Sequence, residues 1–97
     1  MYKLIEIVKS TKADKKWMAI FEDSKTGRRK TTHFGSAGMD DYTITKNAEQ
    51  AERYKNRHQK DLKTNDPTRA GYLSYYLLWD SPDFKANVRN YKKQFNL

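Results

Sequence analysis

The sequence predicts an α+β fold: a three-stranded antiparallel meander followed by three helices, the middle one buried. Three observations carry this. Runs rich in β-branched and aromatic residues are confined to the opening part of the chain, over 2–9, 17–22 and 29–34. Two helix-start signals, Asp66-Pro67 and Ser81-Pro82-Asp83, punctuate the second half. Between them lies 66–79, the only strongly apolar segment of the chain.

The elements follow in order within a single domain, 1–97. The first strand spans 2–9, with lysines near both ends, and 10–16 is a polar loop. In the second strand, Trp17, Ala19 and Phe21 share one face and Met18 and Ile20 the other, because side chains alternate along a strand. Asp23 to Arg28 is a turn in which Gly27 supplies positive φ, and 29–34 returns as the third strand. A meander of this size needs a helix to cover one face. Residues 1–34 thus form the meander, 35–46 an ordered connector and 47–97 the helical part. Met39, Tyr42 and Ile44 are the connector's candidate anchors. The first helix, 47–62, carries a narrow stripe of Ala51, Tyr54, His58 and Leu62. Arg53, Arg57 and Lys60 lie roughly opposite, aligned with Lys46, and Glu49–Arg53 is an i,i+4 pair. The second helix begins at Asp66-Pro67 and is apolar around much of its circumference. Its Leu73 and Leu77 share a face, and Tyr72, Tyr75, Tyr76 and Trp79 adjoin it as core residues. Gly71 inside this helix predicts a close backbone crossing, since glycine there costs about 1 kcal/mol relative to alanine. The last helix buries Phe84, Val88, Tyr91 and Phe95.

Composition bounds the function. Twenty Lys and Arg against 12 Asp and Glu give a net charge of +8. That balance favours nucleic acid, anionic surfaces or acidic proteins as partners. There is no cysteine, which removes disulfides, thiolate chemistry and cysteine-held metals. The N-terminal apolar run is too short and too charged for a signal peptide, and no stretch approaches a transmembrane segment.

Positive charge concentrates in three places. Lys25, Arg28, Arg29 and Lys30 occupy the second turn and third strand, in a segment with no acid to cancel them. Arg53, Arg57 and Lys60, with Lys55 and Lys63, lie on the first helix; Lys85, Arg89, Lys92 and Lys93 lie on the last. Rows of Lys and Arg bind phosphates by releasing counterions, although a merely solvated helix face has the same composition. His33, His58, Asp40 and Asp41 are the only combination for a metal or proton transfer. They lack diagnostic spacing, and His58 on an apolar stripe is expected to be a hydrogen-bonded core residue. No phosphate-cradling glycine loop or nucleophile elbow is present. No catalytic, cofactor or metal residue is therefore assigned, and no enzymatic activity is expected.

The run His33-Phe34-Gly35-Ser36-Ala37-Gly38-Met39-Asp40-Asp41-Tyr42-Thr43-Ile44 begins a recognisable pattern. It continues with Arg53-Tyr54, Arg57-His58, Asp66-Pro67-Thr68-Arg69-Ala70-Gly71, Ser74 and Leu77-Leu78-Trp79. This pattern resembles a family of small basic proteins encoded by large DNA viruses and their relatives, which also end in a Phe-containing basic helix like Tyr91 to Leu97. The resemblance covers roughly 31–97. Departures are Met39 in place of an aromatic, Thr45 in place of a histidine, and Asp80-Ser81-Pro82 in place of Asn-Lys-Pro. It implies a viral protein made inside the host cell and carried in the virion, with viral structural proteins or nucleic acid as partners. The expectation is a non-enzymatic component of a viral particle, such as a minor capsid or cementing protein. The alternative is a sequence-nonspecific nucleic-acid-binding protein.

Overall fold

The computed structural model describes residues 1–97, and its architecture is α+β. Strands β1 (Tyr2–Lys9), β2 (Lys15–Asp23) and β3 (Arg29–Ser36) form an antiparallel meander in the order β1-β2-β3. Gly27 has φ +72° in the tight β2–β3 turn. Alternation sends Leu4, Ala19, Phe21 and Phe34 into the core, with Tyr2, Ile7 and Trp17 packed beside them. A bulge between Leu4 and Glu6 lets β1 carry Ile5 as an extra, exposed residue. Leu4 and Ile7 therefore both face the core, opposite Phe21 and Ala19 respectively.

The connector is ordered but anchored differently from expectation. Asp41 caps a short helix, α1 (Tyr42–Thr45), by accepting from the Thr43 amide. Tyr42 packs on the core, while Met39 and Ile44 are 64% and 57% exposed. Helix α2 (Ala48–His58) starts at the Asn47 cap and continues as a 3₁₀ segment, Gln59–Thr64, closed by Asn65 at φ +52°. Its inner face is Ala51, Tyr54 and Leu62, as the stripe predicts. Glu49 and Arg53 form no ion pair and are both exposed.

The hub helix departs most from the sequence expectation. It starts at Ala70, not Pro67, and after α3 (Ala70–Leu73) it widens into a π-helical turn over Ser74–Leu78. Asp66 caps no helix; its carboxylate accepts from the Thr68 amide and hydroxyl. The reason is competition for carbonyls. Tyr91 donates its hydroxyl to the Pro67 carbonyl, and Thr32 donates to that of Thr68 at 2.7 Å. Two of the acceptors that the first turns of a helix from Pro67 would use are thus engaged by tertiary partners. In the π turn the i→i+5 repeat brings Leu73 and Leu78 to the same side. Tyr72, Leu73, Leu77, Leu78 and Trp79 are all buried, so this segment is the hub. Gly71 meets a side chain, not a crossing backbone: a Cβ there would lie 3.0 Å from the Cβ of Asp61.

Helix α4 (Phe84–Gln94) starts where Asp83 accepts from the Ala86 amide. It closes the core with Tyr91, Phe84, Val88 and Phe95. The buried Asn87, which carries no sequence signal, donates to the carbonyls of Leu77 and Ser81, both at 2.9 Å. It ties the end of the π turn to α4.

Candidate functional site

At the end of the sheet where Lys15 pairs with Ser36, β3, the connector loop, α2 and α3 surround a cleft of about 700 Å³. Its floor is Phe34, Gly35 and Leu78. Gly35 has φ +77°, and a Cβ there would come within 2.9 Å of the Leu78 Cδ1, so only glycine lets strand and hub helix meet. From α2, Gln50, Arg53, Tyr54 and Arg57 face the cleft, spaced by three and four as one helix face must be. Lys15 and Lys16 face it from β2, and Asp40 and Asp41 from the connector.

Pairing decides which charges are available. Lys16 donates to Asp41 at 2.6 Å, with side chains only 14% and 2% exposed. That pair is internally neutralised and fixes the connector to the sheet. His58 Nδ1 lies 3.0 Å from the Asp61 carboxylate. Lys15, Arg53 and Arg57 form no ion pair, leaving three cations on the walls against two carboxylates, the exposed Asp40 and the half-exposed Asp61 beside His58.

An aromatic column runs out of the core along the same wall. Trp79 stacks on Tyr54 at 4.3 Å and 10°, and Tyr54 stacks on His58 at 4.1 Å and 20°. Trp79 is buried, whereas the His58 side chain is 37% exposed at the outer end. His58 is therefore a half-open stacking residue held by Asp61, not a core histidine. Burial raises the Tyr54 hydroxyl above its ordinary pKa of 10.0, and the nearby Asp61 charge adds to this.

The basic residues singled out from the sequence do not share one surface. Arg53 and Arg57 line the cleft; Lys60 does not, and Lys46 bonds instead to the carbonyls of Thr43 and Pro82. The Lys25–Lys30 group lies at the opposite end of the sheet from Lys15. Within it Arg29 faces Glu22 at 3.6 Å, and Lys30 turns inward to Thr68 at 2.8 Å and over the Tyr2 ring. Lys25 and Arg28 remain exposed and unpaired. Lys85 borders a separate groove beside Trp17 and Phe84, and Arg89, Lys92 and Lys93 occupy the outer surface of α4. The end of α4 comes back to the turn end of the sheet, where Lys3 donates to the Asn96 carbonyl. Lys15 and Lys16 carry no motif of their own in the sequence; only the β2–β3 register brings them to the cleft. No group of three His, Cys, Asp or Glu residues is placed to hold a metal ion: His33 bonds to Ser10, and Asp41 is taken by Lys16. No helix is long and apolar enough to cross a membrane.

Fold and site together define a small basic α+β protein with an arginine-walled cleft and an aromatic column along its wall. The chain belongs to a family of unknown function (DUF5754), whose profile matches residues 5–58, more than half of its length. The matched span runs from β1 through α2 and so includes the two cleft arginines, Tyr54 and His58. No curated protein and no solved structure matches the chain.

Proposed function

We propose that this is a non-enzymatic protein that binds nucleic acid without regard to sequence. The observation that carries this reading is the placement of Lys15, Arg53 and Arg57 around one cleft without acidic partners. Cations without an ion-pair partner, here the exposed Arg53 and Arg57 and the half-exposed Lys15, release phosphate counterions on binding. Reversing Lys15, Arg53 and Arg57 to Glu should weaken binding uniformly across sequences. Fluorescence anisotropy with labelled duplexes and single strands is the test. No binding to either by the parent protein at about 50 mM salt, where phosphate contacts are strongest, rejects the proposal.

A second reading is favoured by the separation of the basic regions. The register places Lys15 and Arg29 at opposite ends of the sheet, about 24 Å apart by strand rise. A body with cations at both ends suits bridging between two acidic surfaces. That is the role expected of a minor capsid or cementing component of a viral particle, made in the host cell, which the resemblance implies. Mass spectrometry of purified particles tests it, and absence at stoichiometric levels excludes it.

A further inference from the structure

We infer that the cleft is a site for single-stranded nucleic acid, in which an unpaired base stacks on the outer face of His58. The inference rests on the nucleic-acid reading above and names its strand type and seat. Two features of different kinds meet here. Arg53 and Arg57 supply phosphate-binding charge on α2, one turn apart. Along the same cleft the column Trp79–Tyr54–His58 already stacks three rings, with interplanar angles of 10° and 20°.

The column is rooted in the core at Trp79, 7% exposed, so its outer ring is preorganised. The Asp61 carboxylate holds His58 through Nδ1 at 3.0 Å, which fixes the ring plane rather than leaving it to rotate. A base continuing the column would lie in the cleft that Arg53 and Arg57 also line. A duplex hides its base faces within its own stack, so only an unpaired base can use this platform. The cleft volume of about 700 Å³ lies in the range of small-ligand pockets, wide enough for a nucleotide and its neighbour's phosphate. Three cations on a single strand give a salt slope of about −2, or a loss of about 20-fold in affinity between 50 and 200 mM salt.

The experiment titrates the whole protein by anisotropy with a labelled ten-nucleotide oligothymidylate. The comparison probes are an abasic strand of equal length, a duplex, and polyglutamate. The expected result is binding of oligothymidylate about tenfold tighter than of the abasic strand, the size of one base–aromatic stack. His58→Ala should erase that difference and His58→Phe should retain it, while Lys92→Ala with Lys93→Ala leaves it unchanged. Arg53→Ala with Arg57→Ala should flatten the salt slope for oligothymidylate. Circular dichroism confirms that each variant is folded; if His58→Ala is not, the comparison of parent protein on thymidylate and abasic strands decides alone. Equal affinity for thymidylate and abasic strands, or for strand and duplex, overturns the inference but leaves electrostatic nucleic-acid binding standing. Polyglutamate binding as tightly as oligothymidylate also overturns it, in favour of an acidic protein partner. No binding of any nucleic acid overturns both.

Discussion

Asn87 shows how much a single buried amide can hold. Its two N–H groups satisfy carbonyls at the end of the π turn and in the loop before α4, and its oxygen accepts from Ser81. Asn87→Leu keeps the branched shape, though with bulkier methyl groups, but orphans the Leu77 carbonyl in the core. The expected loss is about 3 kcal/mol in denaturant unfolding. A loss below about 0.5 kcal/mol would mean that water replaces the amide. Gly71 is the opposite kind of residue, important for what it lacks. Gly71→Ala gains helix preference of about 1 kcal/mol but presses on Asp61, and overpacking costs roughly 1–3 kcal/mol. The Cβ of Asp61 cannot rotate away as a side-chain tip would, so a net fall of about 1 kcal/mol is expected. A higher melting temperature in Gly71→Ala would show instead that the 3₁₀ segment yields.

At the level of elements, the segment before α3 acts as a strap on the sheet. Lys30 and Thr32 reach Thr68 from β3, Tyr91 reaches Pro67 from α4, and Asp66 closes the turn between them. The Thr68 hydroxyl and amide hold the Asp66 carboxyl below its ordinary pKa of 3.8 against the opposing effect of burial, and the Lys30 charge adds to the lowering. The ionised form is therefore the one the fold favours. Its contribution is complete above the ordinary value and fades as pH falls through the lower folded one. Asp66→Asn should flatten the acid limb of the stability curve below about pH 4, and an unchanged limb would show that the strap is pH-independent. The same strap explains where sequence reasoning stops. The three strands and α4 were legible because period-two alternation and a cap followed by an apolar stripe are local signals. The start of the hub helix was not, because the carbonyls that decide it are claimed by Thr32 and Tyr91, far away in sequence. The cleft was legible only in part. Arg53 and Arg57 stand out as charges, but nothing local distinguishes them from the solvated lysines of α4. Lys15 joins them only through strand register.

The whole molecule measures 42 × 27 × 23 Å, and its sheet has only three strands, so two of them are edges. An edge strand offers unpaired N–H and C=O groups to any other strand, and proteins guard such edges with lysines, bulges or cover. β3 meets this hazard with Arg29 and Lys30 at its outset. On β1 the lysines sit near the ends, at Lys3 and Lys9, and Glu6 is the one charge among the apolar residues between them. There the extra residue Ile5 has a consequence beyond placing Leu4 and Ile7. Without it the strand would alternate perfectly, with Leu4 and Ile7 inward and Glu6 outward, and present a flat, continuous ladder. Removing Ile5 should therefore leave the fold intact yet lower the concentration at which copies self-associate, as sedimentation velocity would register. If both forms stay monomeric to the same concentration, the irregularity has no protective role. If the shortened chain joins edge to edge, one residue of slack is what keeps a three-stranded sheet from growing into a six-stranded one.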